Sequence, residues 1–132
     1  MRKVASVATA LVLGHLAVNL LHRLAHIHLR IALTRNQFLF VLVVINLAPV
    51  LAAVLLWTPL RRAGAWLLLL SMLGSFAFGA FYHFVAASPD NVLQVAPGVW
   101  GSRFQISAVL LAVVEAVGAW VGMWALKTLA KV

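Results

Sequence analysis

His22 and His26 stand four residues apart in a stretch with helical spacing, so both imidazoles face one way, close enough to share a metal ion. His83, from a distant part of the chain, is the histidine best placed to join them. Asp90, Tyr82, His15 or water can complete the shell. Neutral imidazoles suit zinc, copper or iron. A ligating imidazole must be unprotonated, so metal affinity is expected to fall as pH drops below about 6.5. The pair is not the metalloprotease H-E-x-x-H, because position 23 is arginine and no general-base glutamate follows the first histidine. The chain has no cysteine, which excludes thiolate metal sites, iron–sulfur clusters, thiol redox chemistry and disulfides.

Two alternatives use the same residues. His22 and His83 on different helices resemble the bis-histidine plan of membrane b-type cytochromes, which would make the protein a haem b electron-transfer subunit. Gly74, Ser75, Gly79 and Ala80 would then admit the macrocycle, although small residues more often serve close helix packing. The other alternative is a non-catalytic accessory subunit whose polar residues only lock helices together. The histidines would then be interfacial groups near helix C-termini, where cationic side chains are favoured.

A second set of polar residues lies deeper. His15, Asn19, His22 and His26 are spaced 4, 3 and 4. At 100° per residue they fall at about 0°, 40°, −20° and 20°, one narrow stripe, while His28 falls near −140° on the opposite side. A polar stripe on a membrane helix must face protein or a cavity, since lipid offers no hydrogen bonds. Glu115 is the one acidic residue inside an apolar run. At mid-membrane it costs about 2.5–3.5 kcal/mol unless protonated or paired. His15 is its only candidate partner at that depth, and one proton shared between them would satisfy both groups. Counting 1.5 Å per residue from the end of each span puts His15, Asn46 and Glu115 about 16 Å in, near the bilayer midplane. His22 and His83 lie about 27–30 Å in, with His26 a turn further and Asp90 in the loop above. Two layers are therefore expected. One is a buried His15/Glu115 pair with Asn19 and Asn46, and the other is an outer site of His22, His26 and His83.

The elements that must position these residues are membrane helices. Of 132 residues, 65% are hydrophobic and only 9% charged, against roughly half and a quarter in soluble domains. Mean hydropathy is +1.09. This composition excludes a soluble globular domain, a disordered chain and a disulfide scaffold. Four apolar runs are each near the ~20 residues that a helix needs to cross ~30 Å of hydrocarbon. The fold expected is an all-α four-helix membrane bundle, a single domain over 1–132 with spans at about 4–28, 38–57, 63–87 and 104–126. The ~10-residue alternating strands of a barrel are absent. Ser88-Pro89-Asp90-Asn91 reads as a turn in the longest loop. Pro49, three residues after Asn46, is expected to free a carbonyl and kink the second span. Gly118 and Gly122 share a face with Glu115 and are expected to pack inside the bundle.

The net charge of +8 does not indicate nucleic acid, because the basic residues sit at the ends of apolar runs, with no aromatic-interleaved patch. Arg2, Lys3, Arg61, Arg62, Lys127 and Lys131 fall on one side, and Arg23, Arg30, Arg35 and Arg103 on the other. That bias places both termini in the cytoplasm, in a bacterial inner membrane. The apolar run after Arg2-Lys3 continues past His15 with no small-residue cleavage site, which reads as an uncleaved span. The partners expected are the lipid bilayer and either other membrane subunits or further copies of this chain. No nucleophile constellation and no glycine-rich phosphate loop occurs. Four spans leave little room for alternating-access transport without oligomerisation.

Overall fold

The computed structural model describes residues 1–131. It contains α1 (Arg2–His28), α2 (Arg35–Leu55), α3 (Arg61–Val85) and α4 (Val99–Leu129), each long and apolar enough to cross a membrane. No strand occurs among the described residues. α4 packs against α1 and α3, and α3 against α2; α1 touches α2 chiefly along Ala48–Leu55. The helix order around the bundle is thus α1, α4, α3, α2, with a parting between α1 and the first half of α2.

Local chemistry explains where the helices begin and end. α2 starts at Arg35, three residues before the apolar run. Thr34 and Gln37 form a capping box there: the Thr34 N–H donates to Gln37 Oε1 at 2.8 Å and Gln37 N–H to Thr34 Oγ1 at 3.3 Å. α4 starts at Val99, earlier than the expected 104, just after Gly98 at φ 126°. Trp100 in that extra turn stacks on His28, centroids 3.7 Å apart, and the Arg103 guanidinium lies over the Trp100 ring, 4.5 Å from its centroid. His28 is therefore turned away from His22 and His26, as the helical angle requires.

Two π-helical stretches interrupt the helices. The first, Val41–Leu47, immediately precedes Ala48-Pro49 in α2. Proline brings no N–H, so the ladder behind it opens, and Asn46 Nδ2 donates to Val41 O at 2.8 Å. The second, Phe81–Val85, contains His83 and ends with Ala86 N–H donating to Phe81 O at 2.7 Å.

The apolar core fills the half of the bundle nearest the termini, from Val4, Ala8 and Val12 to Leu68, Met72 and Val121. Small residues set the helix spacing. A Cβ on Gly122 would stand 2.8 Å from the Leu69 backbone, and one on Gly118 2.7 Å from Met72. Both glycines thus pack inward against α3. The outward faces are apolar as well, with Leu13, Leu20, Leu70 and Trp120 each about 60% exposed, a surface that water does not favour. The other half of the bundle carries the polar groups.

Candidate metal centre

His22 on α1 and His83 on α3 are both buried, and their rings meet edge to face with centroids 4.7 Å apart. Asp90 reaches them from the connection between α3 and α4. Its turn is closed by Asn91 N–H donating to Ser88 O at 3.0 Å, as Ser88-Pro89-Asp90-Asn91 foretells. Asn91 Nδ2 and the Val92 N–H then tie the loop back to Ala86 O and His83 O. The turn thereby folds the Asp90 carboxyl down over the helix ends. One ligand atom from each of His22, His83 and Asp90 lies within 4.8 Å of the others, a group able to hold a metal ion.

His26 adjoins this group rather than belonging to it. Its Nε2 lies 3.2 Å from His22 Nε2 and 3.0 Å from Asp90 Oδ1, while its ring centroid is 6.5 Å from that of His83. Two ligands bound to a tetrahedral ion at 2.0–2.1 Å stand about 3.3 Å apart, close to these spacings. Phe104, fully buried, forms an apolar floor beneath all three imidazoles.

The hydrogen bonds fix a hydrogen on Nδ1 of each ring. His83 Nδ1 lies 2.9 Å from Asp90 O, and His26 Nδ1 lies 3.3 Å from Ile31 O. A carbonyl only accepts, so each Nδ1 carries the hydrogen. His22 Nδ1 lies 2.8 Å from Ser107 Oγ, whose own hydroxyl donates to Arg103 O at 2.7 Å, so His22 Nδ1 is the donor as well. Each ring is thus anchored through Nδ1, as outer-shell hydrogen bonds anchor metal-bound histidine. His22 Nε2 and His26 Nε2 stand 3.2 Å apart, so without an ion one of them carries a hydrogen that the other accepts. Asp90 Oδ1 is buried, with His26 Nε2 and His83 Nδ1 3.0 and 3.5 Å away. Burial pushes the Asp90 carboxyl up, but the His26 ring beside it and the charges of His83, His26 and His22 prevail and hold it below its ordinary range. An ionised Asp90 beside these imidazoles is a donor set that a single metal cation could neutralise.

The deeper layer is partly as expected. His15 Nε2 and Glu115 Oε1 are 3.3 Å apart and both residues are buried. Asn19 Nδ2 lies 3.1 Å from His15 Nε2, one turn along α1. Asn46 does not join them, because the π-helical stretch turns its amide onto Val41 O. Tyr82 does not reach the outer cluster either; it packs against Phe78 and Phe81 instead. Gly79 separates the two layers, with a Cβ there 3.7 Å from both Glu115 Oε2 and His83 Cδ2. Ser107 and Phe104 were not singled out as site residues by spacing. Ser107 lies in the outer part of its apolar run, level with His22, and that matched depth was the available signal.

The chain matches no protein-family model, no curated protein and no solved structure.

Proposed function

We propose that this is a small polytopic membrane protein that binds a transition-metal ion at His22, His83 and Asp90. His26 is the adjoining fourth group, and the His15/Glu115 pair joins α1 to α4 deeper in the bundle. In this reading residues 1–132 form one four-span domain in a bacterial inner membrane, with both termini cytoplasmic and the metal near the outer side. Lipid covers the apolar faces, alone or together with another membrane subunit or a second copy of the chain. The observation that carries the proposal is the buried meeting of two imidazoles and one carboxylate from three separate parts of the chain, with ligand atoms within 4.8 Å of one another.

The donors are nitrogen and oxygen, with no sulfur among them, which favours zinc, copper(II) or iron(II) over copper(I). Two histidines and one carboxylate leave coordination positions open, as in catalytic rather than closed structural sites. The haem reading fits less well. The His22 and His83 rings touch edge to face at 4.7 Å between centroids, and no planar macrocycle stands between rings in contact. The accessory-subunit reading accounts for the helix-to-helix hydrogen bonds but not for two imidazoles and a carboxylate brought, buried, within 4.8 Å of one another.

Protein purified without chelator is expected to carry about one zinc, copper or iron ion per chain by elemental analysis, or to take one up on addition. Metal-free protein that binds none of the three would refute the proposal, and a Soret band would restore haem in its place. For the topology, reporter fusions after Lys131 and within residues 93–99 are expected on opposite sides of the membrane. Both on one side would rule out four spans.

A further inference from the structure

A cavity of about 810 Å³ opens onto the histidine cluster, where α1 parts from the first half of α2, and His22, His26, His83, Asp90 and Glu115 form its inner, polar side. Its size is that of a small-molecule pocket. Leu16, Leu20, Phe38, Val41, Ile45 and Leu111 give it an apolar wall. Arg23, Arg30 and Arg35 line it near the α1–α2 connection, and all three are exposed.

Among the described residues these arginines have no carboxylate partner. The sequence has only two acidic residues. Asp90 lies against His26 and His83, and Glu115 against His15. Membrane orientation does not account for the arginines either. In the topology proposed above they fall on the outer side, where lysine and arginine are disfavoured. Arg30 also occupies a position that suits glycine. The end of α1 makes both bonds of a Schellman motif, Ile31 N–H to His26 O at 2.9 Å and Arg30 N–H to Ile27 O at 3.2 Å. That places Arg30 at φ 55°, the one positive-φ residue other than glycine among those described. An arginine standing at a backbone position that suits glycine motivates a role for its side chain.

We propose that the cavity binds an anionic phospholipid, with an acyl chain against the apolar wall and the phosphate on Arg23, Arg30 and Arg35. Guanidinium forks match phosphate oxygens in pairs, and an apolar chamber with a cationic mouth complements an amphiphile of that charge. The inference rests on the membrane placement proposed above but not on the metal.

The test uses the full chain in phosphatidylcholine nanodiscs, titrated with fluorescent phosphatidylglycerol and with phosphatidylcholine carrying the same label and tail. Saturable binding is expected, about tenfold tighter for phosphatidylglycerol, as one well-placed charged hydrogen bond provides. Inorganic phosphate should not displace it, because the tail supplies part of the affinity. Arg30→Gly suits the backbone and preserves the fold, so it should remove most of the preference while leaving thermal stability unchanged or raised. Ala112→Phe, which narrows the chamber, should weaken both lipids together. Equal affinity for the two lipids, an unchanged preference in Arg30→Gly, or full displacement by inorganic phosphate would overturn the proposal. The assay needs no metal, so its failure is distinct from failure of the metal site.

Discussion

His83→Ala and His22→Ala are each expected to weaken metal binding by more than about 100-fold, beyond the 10–100-fold typical of outer-shell changes. Each removes an imidazole from a group whose ligand atoms already lie within 4.8 Å of one another. Ser107→Ala should fall within the outer-shell range. It leaves every ligand in place and removes only the oxygen 2.8 Å from His22 Nδ1. His26→Ala is expected to cost less than His83→Ala, since His26 adjoins the group. His28→Ala should bind as wild type, because that ring is stacked on Trp100. The Asp90 carboxyl is held below its ordinary range, so it stays ionised and able to ligate in mildly acid solution. Titration calorimetry on metal-free protein gives the ranking. Abolished binding in His28→Ala with intact binding in His83→Ala would place the site on the wrong face of α1.

Glu115→Leu is expected to lower the thermal stability of detergent-solubilised protein by about 1–3 kcal/mol, the cost of leaving a buried polar group without its partner. His15 is fully buried, and its contacts are Glu115 at 3.3 Å and Asn19 at 3.1 Å. Leucine offers it nothing across the α1–α4 interface. Glu115→Gln keeps the shape and a polar group opposite the imidazole, so it should retain most of the stability. The difference between the two variants isolates the polar contact from volume. If leucine is tolerated as well as glutamine, the His15/Glu115 pair contributes nothing to holding α1 against α4.

Periodicity and depth made much of this arrangement legible. The i, i+4 spacing of His22 and His26 put both rings on one face, and counting along each apolar run matched His22 with His83 and His15 with Glu115. The four helices followed from composition and run length alone. What spacing did not give was set by local backbone chemistry. Asn46 was placed with the midplane group by depth, but depth says nothing of rotation about the helix axis, and the π-helical stretch before Pro49 changed that rotation. Tyr82 was placed beside the outer site by adjacency to His83, yet neighbours in a helix diverge by about 100° and it packs on phenylalanines instead. The start of α2 is fixed by the Thr34/Gln37 capping box, which run length, beginning the span at 38, does not register. Asp90 entered as one of several possible completing ligands. Its place in the cluster depends on a turn whose residues were legible but whose direction was not.

The central claim is that His22, His83 and Asp90 bind one transition-metal ion, and X-ray absorption at the metal edge of the loaded protein tests it most directly. The account predicts a first shell of nitrogen and oxygen at about 2.0–2.1 Å, with the outer scattering of at least two imidazoles, and loss of one imidazole in His83→Ala. A shell of oxygen alone, or a spectrum unchanged by His83→Ala, would contradict it.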